Sequence, residues 1–131
     1  DMLRADGLPL IEKKTWKAEI DGPPRFSRMT AKERKAAILR DPAYGKIVCR
    51  CESVTEAEVL YAIRHGARTL DGVKFRVRAG MGRCQGGFCT TRIMDILSQT
   101  LGIPLAEISK RGPGSEVCVP RHDNPSAGGE Q

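Results

Sequence analysis

"IVCRCESVTEAEV", residues 47–59, decides how the chain is read. Two cysteines, Cys49 and Cys51, stand two apart in a short apolar run, and helix-start signals follow at once. Ser53 with Glu56, or Thr55 with Glu58, has the spacing of a capping box. In such a box a hydroxyl and a carboxylate satisfy the first backbone N–H groups of a helix. Val59, Leu60 and Ile63 then supply an apolar stripe and Gly66 a stop. A partner stretch, "GMGRCQGGFCTTR", occupies residues 80–92. Cys49, Cys51, Cys84 and Cys89 together spell C-x-C, a gap of 32 residues, then C-x-x-x-x-C.

Working outward, "TAKE" at 30–33 is a second capping box, opening a helix that stops before Pro42. "YGKIVCRC" reads as a turn at Gly45 and a short extended run. A shorter helix is expected from Thr69 through "LDGVKFRV", and another over "CTTRIMDILSQTL", ending at Gly102. "IPLAEISK" adds one turn with Pro104 in its first turn. Leu60, Ile63, Ile93, Ile96 and Leu97 are the expected core, and His65 and His122 are expected at the surface. The fold class is therefore mainly α: a small bundle of short helices. Residues 1–29, with paired prolines in "DGPPRFSRM", read as an extended lead-in or linker. The helical domain spans 30–116, and 117–131 reads as a flexible tail.

The chain has 131 residues, of which 40% are hydrophobic and only 5% aromatic, so its core is aliphatic and thin. A thin core often relies on a cross-link or a metal. No apolar run approaches the roughly 20 residues of a membrane span, and no signal-peptide layout is present. The expected setting is therefore a reducing cytoplasm, with any peripheral membrane contact made through a partner. There, spaced cysteines favour metal or redox chemistry over structural disulfides, and an odd count of five argues against a full disulfide framework. The formal charge of +6 brings nucleic acid into consideration. The arginines cluster by the cysteines rather than along one helical face, so no nucleic-acid partner is expected.

Three uses of the four thiols compete. Bridging within C-x-C is too tight for relaxed disulfide geometry. Zinc prefers C-x₂₋₄-C knuckles, and neither His65 nor His122 completes a familiar zinc pattern. A [2Fe–2S] cluster takes four thiolates on two separated irons, so its ligands need not converge on one point. Its negative charge needs donors, which Gly80, Gly82, Gly86 and Gly87 would admit as backbone N–H groups. Arg50, Arg76, Arg78, Arg83 and Arg92 lie nearby in sequence, and the helices that follow the ligands would turn their positive ends inward. Loops at helix N-termini are thus the expected holders of the cluster, with Met81 as a candidate shield. Cys118 falls outside the pattern and reads as a free or packed thiol.

"VCRCESVTEAEV" with "RAGMGRCQGGFCTTRIMDIL" resembles the [2Fe–2S] domain of the bacterioferritin-associated ferredoxin type. It is most similar to the version at the C-terminus of FAD-dependent, anaerobic-type glycerol-3-phosphate dehydrogenases. "PAYGKIVCRCE" and "LGIPLAEISKRGPGS" extend the similarity to roughly residues 24–116. The resemblance implies Cys49, Cys51, Cys84 and Cys89 as the ligands of a [2Fe–2S] cluster. It also implies a relay of electrons from reduced flavin to a downstream acceptor. No G-x-G-x-x-G strand–turn–helix unit is present, so FAD is expected only in an attached or partner flavin-binding dehydrogenase domain or subunit. No catalytic residue is assigned to this chain. The alternative is a structural or regulatory module, docking through a cluster or zinc.

Overall fold

The structure, a computed structural model, describes residues 6–7, 14–15, 22–23 and 25–118. Among these residues are four α-helices: α1 (Ala31–Arg40), α2 (Glu56–Arg64), α3 (Leu70–Val77) and α4 (Cys89–Leu101). Two short antiparallel strands, β1 (Ile47–Cys49) and β2 (Val54–Thr55), form the sheet. The chain is thus mainly helical, as the sequence predicts, with a small hairpin inserted before α2.

The hairpin settles which capping box opens α2. Cys49 pairs with Val54 and Ile47 with Thr55, so residues 50–53 form the turn. Ser53 sits there with φ 52°, outside any helix. Thr55 is the N-cap: its hydroxyl accepts from the Glu58 N–H at 3.4 Å, and the Glu58 carboxylate accepts from the Thr55 N–H at 2.8 Å. Thr30 and Glu33 close the equivalent box on α1. Thr69 caps α3 by accepting from the Gly72 N–H at 3.0 Å. The C-terminus of α4 ends at Gly102, whose φ of 68° turns the chain so that the Gly102 and Ile103 N–H groups both donate to the Ser98 carbonyl.

Apolar faces of three helices meet in one core. Val59, Ala62 and Ile63 of α2 pack with Val73 and Val77 of α3 and with Ile93, Met94, Ile96 and Leu97 of α4. Val48 and Val54 seat the hairpin on this core, and Ile108 closes it from beyond α4. Leu60 is only partly buried against the cluster. The segment after α4 forms a 3₁₀ turn over Leu105–Glu107, with Pro104 as its N-cap rather than inside it. No helix among the described residues is long and apolar enough to cross a membrane.

Of the lead-in, residues 26–28 form a 3₁₀ turn rather than extended chain. Phe26 is buried, its N–H donates to the Glu58 carboxylate at 3.3 Å, and the Arg34 guanidinium lies over its ring. Glu58 therefore holds the start of α2 and the entry of the chain together, from a side chain that is itself buried. Replacing Glu58 with alanine strands two buried N–H donors and removes a cap. A loss of about 2–3 kcal/mol is expected, read as a lower urea midpoint. At the other end, the Val117 N–H donates to the Ile108 carbonyl, while residues 119–131, His122 included, lie outside the described residues.

Candidate metal centre

The four cysteines come from four places in the fold. Cys49 ends β1, Cys51 lies in the hairpin turn, Cys84 lies in the loop between α3 and α4, and Cys89 is the first residue of α4. Two sequence expectations need correction here. A helix does not follow the first pair directly, because β2 intervenes. Only Cys51 and Cys84 sit in loops, since strand pairing takes Cys49 and the helix begins on Cys89 itself.

All four thiols line one open cavity of about 700 Å³. Cys49 and Cys89 are buried at its base, with exposures of 2% and 1%, whereas Cys51 is exposed and Cys84 half-buried toward its mouth. The Sγ atoms of Cys51 and Cys84 are 3.7 Å apart, far beyond a disulfide bond, and all five described cysteines are free thiols. Two thiolates each about 2.3 Å from one tetrahedral ion lie roughly 3.8 Å apart. No three His, Cys, Asp or Glu side chains converge as one ion would need, among the described residues.

The glycine loop makes this approach possible. A Cβ at Gly82 would overlap the Cys51 Cβ, so only glycine lets the loop lie against the hairpin turn. Gly86 has φ 90°, and a Cβ there would meet the Thr90 hydroxyl, which donates to the Gly86 carbonyl at 2.6 Å. Gln85, at φ 47°, braces the bend by donating from its side chain to the Gly82 carbonyl at 3.0 Å.

The loop backbone and the burial act in opposite senses on two thiols. The Phe88 N–H, then the Cys51 thiol and the Gly86 N–H, hold the Cys84 thiol below its usual range. These donors favour a thiolate. Burial, with negative charge on Cys49 next, pushes the Cys89 thiol up to about 11. Packed thiols thus repel each other's ionised forms, and a cationic core among them reverses the sign of that field. The donor set therefore fits a group that is positively charged, sulfur-seeking and held by four thiolates.

Of the five arginines singled out in the sequence, Arg50, Arg83 and Arg92 line the cavity. Arg78 pairs with Glu52 at 2.9 Å, and Arg76 donates to the Gly72 carbonyl, both away from it. Met81 lies half-buried outside the cavity. His65 is exposed and stacks on Tyr61. Sequence reasoning missed two features. Lys46 and Arg92 both pair with Glu56, at 2.9 and 3.2 Å, a link across separations that no short-range spacing rule reveals. Phe88, beside Cys89 and 84% exposed, was visible in the loop but passed over.

The Lys46 hydrogen bond is the main cause that holds the Glu56 carboxyl below the usual range, opposed by burial and aided by the charges of Lys46 and Arg92. A carboxyl lowered in the folded state adds stability above its unfolded pKa of about 4.3 and loses it as pH falls through the folded value. Glu56→Gln is expected to cost about 0.5–1 kcal/mol near neutrality. Urea midpoints of the two proteins should converge as pH falls through that lowered folded value.

Residues 47–99 match the BFD-like [2Fe-2S] binding domain. The chain is 47% identical over 121 residues to the glycerol 3-phosphate dehydrogenase of Caloramator mitchellensis, covering 87% of this chain and 25% of that protein. It is 41% identical over 56 residues to hydrogen cyanide synthase subunit HcnB of Pseudomonas aeruginosa, covering 43% and 12%. With one of the subunits of opine oxidase from Rhizobium meliloti it shares 38% identity over 66 residues, covering 50% and 14%. The chain thus spans a quarter or less of the length of these curated relatives. No solved structure matches. It is residues 47–99, which carry the hairpin, the glycine loop and all four clustered cysteines, that are similar to the BFD-like [2Fe-2S] binding domain family.

Proposed function

We propose that Cys49, Cys51, Cys84 and Cys89 hold a [2Fe–2S] cluster, and that the chain is the electron-transfer domain of an FAD-dependent oxidoreductase of the glycerol-3-phosphate dehydrogenase kind. The observation that carries this reading is the gathering of all four thiols on one cavity, with the Cys51 and Cys84 sulfurs 3.7 Å apart. When bound, the cluster supplies an acceptor and donor of single electrons.

The chain's own residues do the rest. The Phe88, Gly86 and Gly87 N–H groups favour the thiolate of Cys84. Burial keeps water from Cys49 and Cys89, while the mouth at Cys51 and Cys84 stays open. Hydrogen bonds to the sulfurs and solvent access are the levers that set such a potential. The working domain is residues 30–116, with 1–29 as lead-in and 117–131 as tail. FAD and the substrate site belong to an attached or partner domain, the electrons pass on to a separate acceptor, and nucleic acid plays no part. The setting is the cytoplasm, with any membrane contact made through a partner.

A second reading is a structural or regulatory metal module. It is favoured by the way the thiols tie β1, the hairpin turn, the glycine loop and α4 together across the core. Anaerobic titration of the iron-loaded chain with reduced FAD separates the two. Relay predicts bleaching of the visible bands at one electron per chain. A loaded chain that reduced flavin leaves unbleached supports the structural reading instead.

A further inference from the structure

The rim of the cysteine cavity carries a feature that holding a cluster does not require. Phe88 is the most exposed large apolar side chain among the described residues, yet its backbone is fixed by the loop. Its N–H faces Cys84, so the loop uses the peptide group and leaves the ring in solvent. Lys46, Arg50, Arg83 and Arg92 line the same cavity as Phe88, and no carboxylate lines it. Lys46 and Arg92 are anchored by Glu56, whose side chain is only 16% exposed beneath them. Arg50 and Arg83 are exposed and have no ion-pair partner among the described residues.

Four cations and one carboxylate leave three net positive charges on the rim. That exceeds the two negative charges carried by four thiolates around an oxidised core. The cationic groups also face outward, whereas the inner thiols are buried. An exposed aromatic ring sharing one cavity with uncommitted guanidiniums has the residue composition of interface hot spots. A positive rim of this kind steers and orients a negative surface.

We propose that Phe88 with Arg50 and Arg83 forms the docking site of a protein with an acidic surface around an apolar recess, seated directly over the mouth of the cysteine cavity. The recess takes the Phe88 ring and the acidic groups pair with the two free guanidiniums. This rests on the electron-transfer reading above, because only an exchange partner gains from sitting at that mouth.

The test uses the full 131-residue chain loaded with iron and sulfide, its visible spectrum checked first. The probe is flavodoxin, an acidic flavoprotein, with basic cytochrome c as counter-probe, both titrated calorimetrically at low and high salt. The expected result is a preference for flavodoxin that fades with salt. Arg50→Gln/Arg83→Gln and Phe88→Ala, the latter keeping its backbone N–H, should each raise Kd by about tenfold or more. Phe75→Ala, which removes another exposed ring away from the cavity, should leave it unchanged. Equal binding of both probes, no flavodoxin binding at low salt, or a Kd that neither rim variant moves would overturn the docking site. A chain that takes up no cluster fails the electron-transfer reading at the spectrum, before any titration, so the two failures are told apart.

Discussion

Gly82→Ala is expected to abolish stable loading of the metal centre while leaving the helices formed. The added methyl group would overlap the Cys51 Cβ. The position of that Cβ is set by the backbone, so no rotamer change makes room. Either the glycine loop withdraws or the hairpin turn does, and the 3.7 Å separation of the Cys51 and Cys84 sulfurs is lost. Overpacking of this kind costs about 3 kcal/mol. Spent on the assembled loop alone, that lowers its population by roughly a hundredfold. Gly45→Ala is the control, because a Cβ there meets only Ile38 side-chain carbons, the nearest at 3.5 Å, in ordinary contact. Iron and sulfide content per chain, with far-UV circular dichroism, reads the result. Normal loading of Gly82→Ala would show that the loop and the turn need not touch.

The second large effect is expected at Cys89. Cys89→Ser keeps the size and the helix start but replaces a buried sulfur that lines the cavity. Loss of one of four donors should drop retained iron to about a tenth or less, since removing even an outer partner of a metal site costs 10–100-fold in affinity. Cys118→Ser should load fully: Cys118 is exposed and lies outside the cavity that the other four line. Iron content after desalting separates the two variants. Equal loss from both would mean that Cys118 is a ligand.

Much of this architecture was legible because it is written in local signals. Thr30–Glu33 and Thr69 mark helix starts, and Gly102 marks a stop, through hydrogen bonds that span only a few residues. The choice between Ser53 and Thr55 as the cap of α2 was not local. It turned on the pairing of Cys49 with Val54, which places Ser53 in a turn at positive φ. A two-residue strand such as Val54–Thr55 is too short for alternation to reveal. The anchoring of Phe26 on Glu58 spans 32 residues and was likewise hidden.

For the site, spacing identified four thiols but not their arrangement. That Cys49 and Cys89 lie at the base and Cys51 and Cys84 at the mouth depends on how the hairpin sits on α4, a matter of core packing. Proximity in sequence misled for Arg76 and Arg78. A helix carries Arg76 to an outer face, and the left-handed cap at Arg78 turns its side chain to Glu52.

Whether these four thiols hold two irons is read by anaerobic reconstitution with iron and sulfide, followed by visible absorption and by electron paramagnetic resonance after dithionite. Broad charge-transfer bands, two irons and two sulfides per chain, and a rhombic signal from one added electron are expected. A colourless chain that takes up a single zinc through the same thiols would contradict the two-iron proposal and leave a structural metal module.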